Sequence, residues 1–148
     1  DAGGALLARA LPKWLAGKIT PQEQNHAEAT FTKKISKEDG HLDWHEDADV
    51  ILRKIRALNS WPGTYTFWER GGTLLRLRIL KAHLSEKVIH TGGSTSDYGK
   101  VVKNDNGLAV ICADGAVFIE TLQMESKKAM PSAEFAKGYS DIVGAELL

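Results

Sequence analysis

The stretch most informative about the fold is FTKKISKEDGHLDWHEDADVILRKIRALNSWPG, residues 31–63. In its second half apolar residues recur at helical spacing, which predicts an amphipathic helix over residues 46–58. Glu46 and Asp47 fall in its predicted first turn and Arg56 in its last, as the helix dipole favours. Asn59 and Pro62 end it. The predicted core stripe consists of Ala48, Ile51, Leu52, Ile55 and Leu58.

Two tryptophans flank this helix. Trp44 precedes the apolar stripe and Trp61 follows it, so both indoles can fold back over the helix. We therefore predict that Trp44, Leu52 and Trp61 belong to the core or its margin.

After residue 63 the apolar period changes from helical spacing to two, which indicates strands. Residues 64–68 and 73–83 form a predicted hairpin around Gly71 and Gly72. Residues 85–97 are rich in Gly, Ser and Thr and predict a loop. Five short strands with tight turns predict a mainly β fold, a small OB-like, partly open β-barrel with short helices. The remaining predicted strands are residues 100–103, 108–112 and 116–124.

Both ends of the chain carry a predicted helix. Residues 5–17 have helical apolar spacing, and Pro12 predicts either a kink or a helix that starts only near Leu11. Residues 18–30 are polar and unpatterned, as an extended linker would be. Near the other end Ser132 is the predicted N-cap of a short helix that Gly138 stops. We divide the chain into residues 1–30, helix plus linker, and residues 31–148, the β domain.

Composition limits the function classes. The 148 residues are 43% hydrophobic and 26% charged, and no apolar run is long enough to span a membrane. The N-terminal apolar stretch is amphipathic, which argues against a secretory signal. Net charge is zero, so a nucleic-acid surface would have to arise from local segregation of charge. Cys112 is the single cysteine and is predicted to be a buried small hydrophobe.

No residue pattern predicts catalysis. His41 and His45 flank Asp43, but no third ligand is evident, so a metal site is disfavoured and Asp43 is better explained as a turn-former. Local sequence suggests neither a Ser-His-Asp nor a Cys-His set. Gly92-Gly93-Ser94 lacks the strand-to-helix context of a phosphate-binding loop. We predict no catalytic residue and no metal ligand.

Two separated motifs resemble one family. Lys34-Ile35-Ser36-Lys37-Glu38, then Asp43-Trp44, then the run RALNSWPG at residues 56–63 stand in the order found at the start of the C-terminal domain of methionyl-tRNA formyltransferases. Ser60 replaces the usual proline. Leu122-Gln123 and the run KKAM at residues 127–130 are similar to the end of that domain. There Ser126 replaces a glycine, which predicts a different backbone shape in that turn. The resemblance covers about residues 18–140.

The resemblance implies a transferase of protein biosynthesis that acts in translation initiation in the cytoplasm. Its catalytic domain would carry formyl from 10-formyltetrahydrofolate to initiator methionyl-tRNA, using an asparagine, a histidine, an aspartate and an S-L-L-P-like loop. None of those motifs occurs here. The chain would thus hold no cofactor, would be inactive alone, and would have initiator methionyl-tRNA and the catalytic domain as partners. The N-terminal helix would be the tail of that catalytic domain, and residue 1 would fall within a longer protein.

Basic residues on two elements and one turn are the predicted tRNA contacts. Arg76 and Arg78 alternate with Leu75, Leu77 and Ile79, so they point away from the core. An ordinary solvated sheet face is the plain alternative. A different class of function also stays open, the structural C-terminal domain of a folate- or nucleotide-sugar-directed formyl-transfer enzyme. The candidate nucleic-acid-binding residues are Arg53, Lys54, Arg76, Arg78, Lys127 and Lys128.

Overall fold

A computed structural model describes residues 2–85 and 97–148, and almost all of the predicted loop at residues 85–97 lies outside the described residues. The chain divides into two compact units, Asp1–Lys33 and Lys34–Leu148. In the described part of the chain no helix is both long and apolar enough to cross a membrane.

The first unit holds one helix, α1 (Ala2–Leu15), and a short 3-10 turn at His26–Glu28. Pro12 lies inside α1, so the helix at this end is confirmed, and the alternative in which it begins only near Leu11 is wrong. Gly17 follows with φ +66°, the left-handed conformation that ends helices without a Cβ penalty. No residue of α1 is buried.

The second unit contains α2 (Ala48–Leu58) and α3 (Ser132–Gly138). All five residues of the predicted stripe on α2 are buried, which confirms the helix and its core-facing side. The helix begins two residues later than predicted, because Asp47 is its extended N-cap and Glu46 precedes it. The acidic residue in its first turn is Asp49 instead.

Six antiparallel strands in the described residues confirm the prediction of a mainly β, partly open barrel. The strands are β1 (Thr64–Arg70), β2 (Thr73–Leu84), β3 (Val101–Asn104), β4 (Gly107–Cys112), β5 (Gly115–Met124) and β6 (Met130–Pro131). Their order in the sheet is β1-β2-β5-β4-β3, with the two-residue β6 beside β5. Gly71 and Gly72, both at positive φ, make the β1–β2 turn as predicted. The sequence did not predict β6.

The last residues of the chain connect the two outer strands of this sheet. Val101 at the start of β3 exchanges backbone hydrogen bonds with residues 144 and 145. On the other side Phe67 of β1 and Leu148 donate to each other's carbonyls, both at 2.9 Å. Residues 144–148 therefore satisfy backbone groups on both open edges of the barrel, which leaves fewer edge groups unpaired.

The core lies between α2 and the inner face of the sheet. Leu77 and Ile79 of β2 are at most 1% exposed and belong to one cluster with Ile51, Leu52 and Ile55 of α2. Trp44 is also buried, as predicted, and its indole N–H donates to Thr66 Oγ1 at 3.0 Å. Cys112 is buried as predicted.

Two sequence predictions fail in this unit. Trp61 is 54% exposed, because α2 ends three residues earlier and the chain turns so that the Gly63 N–H donates to the Leu58 carbonyl. Ser132 is the first helical residue of α3 and not its N-cap, a position that Pro131 takes. The buried Ser132 hydroxyl instead accepts the Leu108 N–H at 3.2 Å, so it joins α3 to β4.

Candidate nucleic-acid interface

The outer side of β1, β2 and β5 carries aromatic and basic residues in register. Tyr65 is opposite Arg78, and Phe67 is opposite Arg76. Arg78 is in turn opposite Gln123 of β5. Residues opposite each other share one face of a sheet, so these five side chains lie on the same side, away from Leu77 and Ile79. We call this set, Tyr65, Phe67, Arg76, Arg78 and Gln123, the basic–aromatic face.

Arg76 is held in a stack of three side chains. Its guanidinium carbon lies 3.8 Å from the centroid of the Tyr65 ring, a cation–π contact. His41 stacks on Tyr65 as well, with 5.3 Å between ring centroids and 15° between planes. Within the described residues the Arg76 Nε is buried and has no hydrogen-bond partner. The ring contact therefore fixes the position of the guanidinium. Among the described residues no carboxylate forms an ion pair with it.

Arg78 occupies a space that a glycine leaves open. An added Cβ on Gly63 would stand 2.7 Å from an Arg78 Nη atom, and Gly63 has φ +83°. The positive φ favours glycine there, whereas the Arg78 guanidinium, as the end of a flexible side chain, could shift to admit a Cβ. The prediction that both arginines point away from the core is confirmed, although each is half-buried rather than fully solvated.

The turn after β5 brings two lysines close to these arginines. The Glu125 N–H donates to the Arg76 carbonyl at 3.0 Å, and the Gln123 side-chain amide donates to the Lys127 carbonyl at 2.8 Å. Lys127 and Lys128 are exposed. The turn thus fixes the backbone of Lys127 beside the basic–aromatic face, and the exposed Lys128 and Glu125 flank it in the same turn.

The same turn holds a serine in an unusual backbone conformation. Ser126 has φ +62°, the left-handed conformation that favours glycine. The prediction that this turn differs in shape from a glycine-containing turn stays a prediction.

Arg53 and Lys54 lie elsewhere. They are on α2, whose apolar stripe packs against the inner face of β2, so the core separates them from Arg76 and Arg78. Arg53 is exposed, whereas Lys54 is half-buried and paired with Glu46 at 2.5 Å. The six candidate residues therefore form two groups and not one surface.

A cavity of about 320 Å³ adjoins the stack and includes the histidines considered as metal ligands. There Asp43 Oδ1 accepts from the His45 N–H and contacts His45 Nδ1, both at 2.9 Å. These hydrogen bonds lower the pKa of Asp43. In residues 2–85 and 97–148 no group of three His, Cys, Asp or Glu side chains could hold a metal ion.

Cys112 has the wrong electrostatics for a nucleophile. Burial raises the pKa of its thiol to about 11. The thiolate, which is the reactive form, is therefore scarce at neutral pH.

Sequence reasoning named the arginines and lysines as candidates and left out the aromatic residues beside Arg76 and Arg78. Tyr65 and Phe67 are as far from the Gly71–Gly72 turn as Arg78 and Arg76, so hairpin register alone could have paired them. No sequence pattern predicted the position of His41, because it pairs with Tyr65 through an isolated β-bridge outside the strands.

Comparisons with known proteins agree on one family. The family described as "Formyl transferase, C-terminal domain" matches residues 34–140. A methionyl-tRNA formyltransferase from Roseiflexus castenholzii is 38% identical over 146 residues, which are 99% of this chain and 44% of that protein. The enzymes of the same name from Geotalea daltonii and Pseudoalteromonas translucida are 34% and 37% identical and are covered to 43% each. The chain thus spans less than half the length of these relatives.

A solved structure shares the fold. HypX from Aquifex aeolicus, crystallised in complex with tetrahydrofolic acid, aligns with a TM-score of 0.56 and 23% identity. The alignment covers 93% of this chain and 23% of HypX. At that identity the likeness concerns the fold alone.

Proposed function

The chain belongs to the family of formyl transferase C-terminal domains, and from that premise we propose that it holds tRNA for a methionyl-tRNA formyltransferase. In the proposed enzyme a separate catalytic domain transfers formyl from 10-formyltetrahydrofolate to initiator methionyl-tRNA. This chain contributes affinity and orientation.

The observation that carries the proposal is the basic–aromatic face with its neighbouring lysines. Guanidinium and ammonium groups bind phosphates and fix the position of a nucleic acid without choosing its sequence. Arg76 is already fixed on Tyr65, so little side-chain freedom is lost when a phosphate binds it. The Tyr65 ring is occupied by His41 and Arg76, so its part is to hold the guanidinium, while the cations supply the contacts with the nucleic-acid backbone.

The test is tRNA binding at several salt concentrations. We expect the double variant Arg76→Ala/Arg78→Ala to bind tRNA more weakly and to lower the slope of log affinity against log salt by up to about two units, one for each lost phosphate contact. The matched control is Arg53→Ala/Lys54→Ala, which removes the same charge from α2.

The outcomes separate the alternatives. An equal loss in both double variants would mean that only total charge matters. An unchanged affinity and slope in the Arg76/Arg78 variant would remove the basic–aromatic face from the interface. Failure of the unaltered chain to bind tRNA at low salt would favour the structural domain of a folate- or nucleotide-sugar-directed enzyme.

Catalysis is proposed to lie outside this chain. The single thiol of the chain, that of Cys112, is buried and its pKa is raised, which disfavours it as a nucleophile. We expect the purified chain with 10-formyltetrahydrofolate and methionyl-tRNA to form no formylmethionyl-tRNA, as judged by acid-gel separation of the aminoacyl ends. Formylation above the protein-free rate would contradict this.

The first unit supports a second partner. α1 exposes Leu7, Leu11 and Trp14 by 45–61%, so its apolar side is available for docking. We propose that this side packs against the catalytic domain. Adding that domain in trans should shift the fluorescence of Trp14, and Leu11→Glu should abolish the shift.

A further inference from the structure

Trp61 is an exposed ring that the core does not explain. Among the exposed large hydrophobic residues of the second unit, within the described residues, it is the one aromatic side chain. Single exposed apolar residues are common and carry no meaning alone. What distinguishes Trp61 is the segment on which it stands.

That segment is held on two sides. The Gly63 N–H donates to the Leu58 carbonyl at 2.8 Å, which ties the turn to the end of α2. On the other side Gly40 packs so closely that a Cβ there would overlap the Gly63 carbonyl oxygen and stand 3.2 Å from Pro62 Cγ. The indole of Trp61 is therefore presented to solvent on a fixed turn and not on a loose loop.

The same turn also touches a cation of the basic–aromatic face. Gly63 lies against the Arg78 guanidinium. Trp61 precedes Gly63 by two residues on the same turn, so the exposed indole and the half-buried Arg78 belong to one local surface. A ring and a cation on one surface suit a base stacked on the ring and its phosphate on the arginine.

We propose that Trp61 and Arg78 together bind an unpaired nucleotide of RNA, the base stacked on the indole and the phosphate on the guanidinium. The inference rests on the proposed function and narrows the part of a tRNA that this turn contacts. A base inside a duplex is stacked between its neighbours and cannot stack on a protein ring. Single-stranded ends and loops can. The duplex parts of a tRNA would then contact the cations alone, and an unpaired segment would contact the turn at Trp61.

The experiment compares two labelled RNAs, an unstructured strand of about 10 nucleotides and a duplex of the same length. Trp61→Ala should weaken single-strand binding roughly tenfold, as loss of one base–aromatic stack does, and leave duplex binding unchanged. Trp61→Phe, which keeps a ring, should stay within about threefold of the parent protein.

Salt dependence gives the second readout. Stacking releases no counterions, so Trp61→Ala should lower affinity without changing the salt slope. Arg78→Ala should weaken binding of both RNAs and reduce the slope by about one unit. Unchanged thermal unfolding of Trp61→Ala would confirm that the exposed residue was removed without harm to the fold.

The results distinguish this inference from the proposed function. If the parent chain binds neither RNA nor tRNA, both fall. If the chain binds tRNA, and Trp61→Ala changes the affinities for single strand and duplex equally or changes neither, only this inference is wrong. Binding of an acidic peptide that needs Trp61, in a chain that binds no RNA, would assign the turn to a protein partner and overturn both.

Discussion

The helices α1 and α2 have similar apolar patterns and different surroundings. Both place leucines at helical spacing, yet α2 buries five residues and α1 buries none. In the second unit the stripe of α2 meets Leu77 and Ile79 of the sheet. The comparison teaches that helical periodicity predicts which side of a helix is apolar, whereas only another element with a matching apolar face determines whether that side is buried.

The largest expected effect comes from the α2 stripe. Leu52→Ala should lower the free energy of unfolding by about 2–5 kcal/mol, because it removes buried methyl groups and leaves a cavity. The matched change in α1, Leu11→Ala, should cost within about 0.5 kcal/mol, since Leu11 is 45% exposed. Urea titration followed by circular dichroism measures both. A comparable loss in Leu11→Ala would show that α1 is packed in solution.

A glycine pair sharpens the same contrast. Gly107 at φ +154° begins β4, and a Cβ there would overlap the Ser132 hydroxyl oxygen. Gly17 at φ +66° has open space around it. Gly107→Ala should destabilise the barrel by about 2 kcal/mol through strain and overlap. Gly17→Ala should leave barrel unfolding within about 0.5 kcal/mol. Equal melting temperatures for both variants would contradict this.

The smallest expected effect is electrostatic. Arg70 donates to both carboxylate oxygens of Asp141 at 2.5 and 3.2 Å, and this lowers the pKa of Asp141. Since the folded pKa is the lower one, the stabilisation is complete above the ordinary carboxyl pKa and is lost as pH falls through the folded value. The stability gap between the parent and Asp141→Asn should thus be wider at about pH 7 than at about pH 3. A gap that grows on acidification would contradict the assignment.

The two tryptophans beside α2 show the limit of predicting burial from local sequence. Both were predicted to be in the core, and only Trp44 is. Trp44 precedes α2 and finds a hydrogen-bond partner, Thr66, in β1. Trp61 follows the helix in a turn whose direction is set by Gly63 and by close packing on Gly40. The apolar pattern around α2 did not distinguish these two situations, because the contacts with Thr66 and with Gly40 join segments that lie far apart in the chain.

Ser132 gives the same lesson on a smaller scale. Its position before a short helix is typical of an N-cap, but its hydroxyl accepts the backbone N–H of Leu108, far away in the chain. Capping rules consider only hydrogen-bond partners within a few residues. Here the hydroxyl instead accepts from a buried N–H of a neighbouring strand, so the serine joins α3 to β4.

The sequence by itself determined the helix stripe, the strands, their glycine turns and the alternation that puts Arg76 and Arg78 on the outer side of β2. These features follow from periodicity and turn chemistry, which act over a few residues. The tertiary structure decided the three-layer stack of His41, Tyr65 and Arg76, the position of Lys127, and the separation of Arg53 and Lys54 from the basic–aromatic face. The neighbourhood of Tyr65 and Arg76 follows from hairpin register. The other features depend on which distant strands and segments pair, and side-chain period carries no information about that pairing.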